Sequence, residues 1–449
     1  MTVPEVLQAG DIFPDTTRVE GDHLNIGGCD LTELAAKYGT PLYIYDEASV
    51  LARARGYRDA LRAAYEGASI VCYASKAYSA PWLFSLLAED GLGLDVVSGG
   101  ELWAGVAADF PRERIYFHGN NKGEDELELA LTERVGRIVI DNLDETARLG
   151  RIAKDRRIRQ TVLLRVSPNV DAHTHAHLTT GKLDTKFGLG IESGAAEQGV
   201  REILEWPSLD LRGYHAHIGS QIHEIEPYRD AVDRLFAFAQ RMRERHGVAL
   251  REISPGGGYG VRYTTADPAV KPRGTIGEVG RLVSAAARKY GFDELPELSI
   301  EPGRSMVAPT AVALYRVGSV KRIPEGRTYV AVDGGMADNI RPTAYGAKYS
   351  AVLANRVTDG EATDVAVAGK YCETGDILIQ HALLPLPRVD DLVAIPTAGA
   401  YHLSMASNYN MALRPAVVVV RDGRARLVRR RETFEDLLAA EVIADRVRA

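Results

Sequence analysis

A (β/α)8 TIM-like barrel joined to a mainly β C-terminal domain is the fold class that the sequence predicts, and three observations predict it. Eight short, β-branched apolar runs alternate with amphipathic stretches between residues 69 and 303. Beyond residue 310 strand-like runs continue without long helices between them. The chain, 449 residues with 45% hydrophobic and 26% charged side chains, can bury a barrel of about 250 residues and a second core as well.

The eight runs are SIVCYASK (69–76), LGLDVVS (92–98), RIYFHG (114–119), GRIVIDN (136–142), TVLLRVS (161–167), LRGYHAHIG (211–219), ALREISPGGG (249–258) and PELSIEPG (296–303). Between them, stretches such as APWLFSLLAED, NLDETARLGRIAKD and PYRDAVDRLFAFAQRMRERHG space apolar residues three and four apart, which predicts helices that cover the strands. The barrel is expected over 46–310. A β-rich domain is expected from 1–45, which ends in GTPLYIYD, together with 311–449, which carries AVALYRVGSV, TYVAVDGG, TDVAVAG, LVAIPTAG and PAVVVVRDG. The chain end, RETFEDLLAAEVIADRVRA, reads as a solvated amphipathic tail.

Charge and cysteine usage exclude several function classes. With 61 acidic against 54 basic groups the net charge is −7 and well mixed, which argues against a nucleic-acid or anionic-membrane surface. No run of about 18 apolar residues and no signal-like start are present, so a cytoplasmic protein is expected. Cys29, Cys72 and Cys372 lie too far apart for zinc-finger or CxxC spacing, and no disulfide framework is expected. Each is by default a small buried hydrophobe or a reactive thiol.

In such a barrel, chemistry sits at the carboxyl ends of the strands. Lys76 closes the first run, where desolvation lowers an amine toward the pKa a Schiff-base lysine needs. Asp95 and Arg165 lie within apolar strands and require charged partners there. His215 and His217 alternate, which puts both on one strand face, while Gly219 and Ser220 offer space and a hydroxyl to an anion. The triplet Gly256, Gly257 and Gly258 leaves backbone N–H groups open to a phosphate. Glu301, ahead of Gly303 and Arg304, can hold a ring nitrogen in its protonated form. Together these groups outline a site for a phosphorylated pyridine aldehyde.

YASKA, LDVVSGGEL, HAHIGSQI, GGGYG, EPGRS, CETGD and GAYHLSMASNYN occur in the order that resembles the fold-type III pyridoxal-phosphate decarboxylases. The likeness runs from about residue 38 to about residue 415. It implies an alanine-racemase-like two-domain architecture and pyridoxal 5'-phosphate as cofactor. Lys76 would form the imine, His217 would stack on the ring and Glu301 would hold its nitrogen. Gly258, Ser220, Arg304 and Tyr401 would lie around the phosphate, with Gly303, Asp95 and Arg165 completing the cofactor set. Arg304, Arg341, Tyr345, Glu373 and Tyr401 would hold the far end of the substrate. Cys372 would donate the proton, reaching the site from the partner chain of a homodimer.

The likeness points to members that convert meso-2,6-diaminopimelate to lysine and CO2, the last step of lysine biosynthesis. Arginines suit the far carboxylate by forked hydrogen bonds, and Glu373 suits the far ammonium. Relatives acting on ornithine resemble CD rather than CE at 372 and 373. Alternatives are a same-fold decarboxylase of ornithine, arginine or carboxynorspermidine, and a non-catalytic relative, which would have no use for Lys76, Glu301 and Cys372 together. A metal-dependent barrel hydrolase using HAH (215–217) or HTHAH (173–177) leaves Lys76 and the glycine triplet unexplained. No metal is expected.

Overall fold

The computed structural model describes residues 4–170, 186–358 and 360–442. The chain divides into two compact units, one of residues 51–261 and 270–306, the other of residues 1–50, 262–269 and 307–449.

The first unit is the barrel. Its strands are Ser69–Ala74, Gly93–Val96, Ile115–Phe117, Arg137–Ile140, Gln160–Ser167, Leu209–His215, Glu252–Gly257 and Glu297–Glu301. All neighbours are parallel, and the fourth strand pairs with the fifth (Ile138 opposite Val162) while the eighth pairs with the first (Ile300 opposite Val71), which closes the ring. Helices follow each of the first seven strands. The sequence starts two of them sharply: Ser98 accepts from the Glu101 amide and Asn142 from the Glu145 amide, so each helix begins within a few residues of its strand. The long helix Glu226–His246 buries Tyr228, Val232, Leu235, Phe236, Ala239 and Met242 on one stripe. Each large side chain so buried contributes about 1.5–3 kcal/mol. Among the described residues no helix is long and apolar enough to cross a membrane.

The amino-terminal mouth of the barrel is closed by a polar plug. Glu252, fully buried, accepts from the Tyr116 hydroxyl (2.7 Å) and from Arg137 Nε (2.6 Å), and Arg137 Nη2 also reaches Glu297 (3.1 Å). Above the plug Cys72, Tyr116, Val139 and Leu163 pack inside the ring. Removing the cation would strand a buried carboxylate. Arg137→Ala is therefore expected to cost about 3–5 kcal/mol, read as a lowered urea midpoint, and an unchanged midpoint would show that the plug is not stabilised by this pair.

The second unit is built on a sheet whose order is Ile377–Pro385, Ala362–Ala368, Thr328–Val332, Ala311–Arg322, Leu42–Asp46, Ala416–Arg421 and Arg424–Arg429. Leu392–Ile395 also pairs with Ala311–Arg322 and carries Val352–Leu353. Leu42–Asp46, the end of GTPLYIYD, is thus a central strand of this unit. The edge strands Ile377–Pro385 and Arg424–Arg429 were not expected from the sequence. Both have exposed positions on either side of the chain, which breaks the apolar alternation that marks a half-buried strand. Near the chain end only Phe434–Leu437 is helical among the described residues, and 443–449 lie outside them.

Candidate active site

Each barrel strand ends on a group that can do chemistry. Lys76 lies in the 3-10 turn Ser75–Ala77 that follows the first strand. Glu101 pins this turn: its carboxylate accepts from Ser75 Oγ (2.7 Å), Ser79 Oγ (3.1 Å) and the Val97 amide (2.8 Å). The lysine's backbone is thereby tied to the end of the second strand.

Glu301, the last residue of the eighth strand, is buried between two imidazoles. His215 Nε2 lies 3.0 Å from its Oε2 and His118 Nε2 lies 3.4 Å from its Oε1, with Ser254 Oγ at 3.4 Å. The two rings meet edge to face, 4.8 Å between centroids. Burial would raise the Glu301 carboxyl, but His215, by charge and hydrogen bond, and His118 outweigh it and hold it well below the usual carboxylate range. His118 also lies 3.6 Å from Asp95 Oδ1. Burial and the Glu301 carboxylate push the Asp95 carboxyl up, and burial pushes His118 down.

Arg165 lies 3.7 Å from Asp141 and stacks on Phe187 at 4.6 Å. The charged partner expected for it is therefore the group at the end of the fourth strand. His217 accepts a hydrogen bond at Nδ1 from the Gly257 amide (3.3 Å), which assigns its proton to Nε2. Burial, then Lys76 and Arg165, push it down to about 3, so it is neutral. It does not join His215 in a metal-type pair. Among the described residues the three-group cluster of that kind is His118, His215 and Glu301, whose ligand atoms lie within 4.8 Å. HTHAH (173–177) lies outside the described residues.

The glycine triplet is a matter of clearance. A Cβ on Gly257 would lie 2.0 Å from the Glu301 carbonyl oxygen, and one on Gly258 would lie 2.4 Å from that of Gly219. Gly256 and Gly258 also hold φ of +80° and +99°. Bare backbone therefore lines this end of the barrel, where Arg304 Nη2 donates to Ser220 Oγ (3.1 Å) and Gly303 packs within 3.0 Å of Ala74.

These residues fit pyridoxal phosphate. Among the described residues Asp95 Oδ1, His118 Nε2 and His215 Nδ1 are buried without a hydrogen-bond partner, which is costly unless a polar ligand meets them. Beside them stand a carboxylate for a ring nitrogen and an open-backbone cradle for a phosphate.

The second unit gathers the other expected residues. The motif CETGD is a turn folded around its last residue: buried Asp376 accepts from the Met336 amide (2.7 Å) and the Tyr371 amide (2.8 Å). Cys372 and Glu373 are left exposed at its tip, with the Cys372 amide donating to Asn410 Oδ1 (3.0 Å). Cys29 and Cys72, by contrast, are buried, and burial pushes both thiols up. Thr343 Oγ1 ties the helix Arg341–Tyr345 to this turn through Gly375 O (2.9 Å). Tyr345 is 66% exposed, whereas Arg341 is buried, and among the described residues no carboxylate lies within 4.0 Å of it. Tyr401 holds φ of +61°, a conformation that costs a non-glycine residue about 1–3 kcal/mol and persists where surrounding contacts demand it.

Residues 47–308 match the family described as pyridoxal-dependent decarboxylase, pyridoxal binding domain. The chain is 46% identical over 420 residues to diaminopimelate decarboxylase from Bacillus subtilis, covering 94% of this chain and 95% of that one. It is 41% identical over 444 residues to the enzyme of that name from Mycobacterium tuberculosis, covering 97% and 98%. Among solved structures it resembles diaminopimelate decarboxylase from M. jannaschii in co-complex with L-lysine, with a TM-score of 0.90 at 32% identity, covering 96% and 99%. Lysine/ornithine decarboxylase complexed with cadaverine from Vibrio vulnificus, at TM-score 0.73 and 23% identity over 87% and 97%, shares the fold. The chain belongs to the pyridoxal-dependent decarboxylases, and within them to the diaminopimelate decarboxylases.

Proposed function

We infer that this protein decarboxylates meso-2,6-diaminopimelate to L-lysine and CO2 with pyridoxal phosphate as cofactor, in the cytoplasm, as the last step of lysine biosynthesis. The observation that carries the substrate reading is Arg341. A buried guanidinium with two tyrosine hydroxyls and no carboxylate near it, among the described residues, calls for an anion from outside the chain. The far carboxylate of diaminopimelate supplies one, and ornithine has none.

Pyridoxal phosphate, when bound, supplies an electron sink for the charge left as CO2 departs. The chain supplies the rest. Lys76 is the amine that holds the cofactor. Glu301, kept ionised chiefly by the His215 contact, would hold the proton on the ring nitrogen. Neutral His217 would stack on the ring without adding charge. The Gly258 backbone, Ser220, Gly303, Arg304 and Tyr401 would receive the phosphate, with Asp95 and Arg165 completing the pocket. Arg304, Arg341, Tyr345, Glu373 and Tyr401 orient the far amino-acid end, the arginines on its carboxylate and Glu373 on its ammonium. Cys372 delivers a proton from Sγ to the carbon that has lost CO2. In this reading the enzyme is a homodimer, and Cys372 and Glu373 of the partner subunit complete each barrel's site.

Release of CO2 from diaminopimelate, ornithine, arginine and lysine tests the substrate. A site built to pair a group discriminates against analogues lacking it, so kcat/KM for diaminopimelate is expected to exceed that for ornithine by roughly 10⁴-fold. Comparable turnover of ornithine would remove Arg341 from the substrate site.

A further inference from the structure

Arg341 is held by one corner only. Nη1 donates to the Tyr263 hydroxyl (2.8 Å) and to the Tyr349 hydroxyl (2.6 Å), which uses both of its hydrogens. Among the described residues Nε and Nη2 make no hydrogen bond, so the two-pronged edge that matches a carboxylate is intact.

Behind this corner the contacts continue inward. Tyr349 OH lies 2.8 Å from His402 Nε2, His402 Nδ1 lies 3.2 Å from Tyr43 OH, and Tyr43 OH lies 3.0 Å from Asp338 Oδ2. Asp338 also accepts from the Tyr315 hydroxyl at the same oxygen (2.5 Å) and from the Gly335 amide (2.9 Å). Every member is buried. The rings of Tyr263, Tyr349, His402 and Tyr43 meet edge to face in succession, with centroids 5.2, 5.2 and 5.8 Å apart.

Donor counting gives the chain a direction. A guanidinium only donates, so the Tyr349 oxygen accepts, which leaves its own hydrogen available to His402 Nε2. The hydrogen of His402 then sits on Nδ1 and points to Tyr43, whose hydroxyl points to the Asp338 carboxylate. Burial pushes Asp338 up to about 6, so it is an anion at neutral pH. Arg341 and Asp338, both buried, are thus joined through the hydrogen-bonded side chains of Tyr349, His402 and Tyr43, and such a chain polarises along its length.

We propose that Tyr349 and His402 are positioning residues for substrate, anchoring Arg341 through this chain to Asp338 so that its Nε/Nη2 edge faces the far carboxylate. This rests on the reading that Arg341 binds that carboxylate. Without the chain the guanidinium gains rotamers in which the edge is turned away, and the far carboxylate loses a preformed partner. The effect falls on binding of the far end.

The test uses the cofactor-loaded enzyme, with Tyr349→Phe and His402→Phe made separately so that a folding defect in one leaves the other readable. L-Lysine keeps the far amino-acid end and cadaverine lacks its carboxylate, so the two are titrated calorimetrically, and diaminopimelate turnover is followed in parallel. In both variants the lysine Kd and the diaminopimelate KM are expected to rise about tenfold, with cadaverine binding and kcat held within about twofold. Arg341→Ala is the reference, expected to weaken lysine and spare cadaverine. Should it do so while Tyr349→Phe and His402→Phe bind lysine like wild type, the relay is wrong and the reading of Arg341 stands. Should Arg341→Ala itself leave lysine binding unchanged, that reading fails, and the proposal with it. Equal weakening of lysine and cadaverine in the tyrosine and histidine variants would also overturn positioning, because it reports general damage.

Discussion

Lys76→Ala is expected to lose the visible absorbance of bound cofactor and to lower diaminopimelate turnover by at least about 10⁴-fold, a modest share of the acceleration enzymes achieve. The lysine's turn is stapled by Glu101 through Ser75, Ser79 and Val97, so the backbone is held independently of the amine. The variant should therefore fold, and its circular dichroism and thermal midpoint should match wild type. Borohydride reduction of the wild type is expected to fix the cofactor to Lys76, seen as a mass shift on the peptide that contains it. Reduction at another lysine, or full turnover by the alanine variant, would remove Lys76 from the chemistry.

The second large effect belongs to Cys372. Proton donation by a positioned acid contributes about 10²–10⁴-fold, so Cys372→Ala is expected to lose that much turnover while keeping the absorbance of bound cofactor. The Cys372 side chain is exposed at the tip of a turn pinned by Asp376, so replacing it removes no core contact. The same variant tests the shared site. If Cys372 of the partner subunit serves each barrel, mixing the inactive Cys372→Ala and Lys76→Ala proteins creates mixed dimers in which one site has both residues intact. Random exchange between equal amounts should restore about a quarter of wild-type activity. No recovery after subunit exchange, verified with differently tagged subunits, would place the acid in the same chain as its lysine.

How far the site was legible can be followed strand by strand. The rule that chemistry sits at carboxyl ends led from the sequence to Lys76, Asp95, Arg165, His217 and Glu301. Applied to the third and fourth runs, RIYFHG and GRIVIDN, the same rule leads to His118 and Asp141. Nothing local sets either apart, because a lone histidine or aspartate is more often explained by packing. Glu101, inside LDVVSGGEL, is not legible in the sequence for a different reason. Its three acceptor contacts come from residues 4, 22 and 26 positions away, and nothing local announces them.

The histidine pair shows the limit more sharply. Alternation in HAH predicts His215 and His217 on one face. The strand ends at His215, and His217 lies beyond it, bonded to the Gly257 amide, while His215 turns to Glu301. Period-two reasoning holds only while the ladder holds. The cluster that formed instead joins the third, sixth and eighth strands, which neighbour one another only across the closed ring.

By itself the sequence determined the barrel, because eight apolar runs and their covering helices are local patterns of period two and near four. It also determined the residue types at most strand ends, and the order of motifs that resembles the family. Only the tertiary structure decided which of those groups share a proton or a charge. It set Glu301 between His215 and His118, paired Arg165 with Asp141, and strung Arg341, Tyr349, His402, Tyr43 and Asp338 into one buried line. The physical reason is range: hydrophobic periodicity is written within about one turn or one strand, whereas a buried polar group takes its partner from wherever closure of the fold brings one.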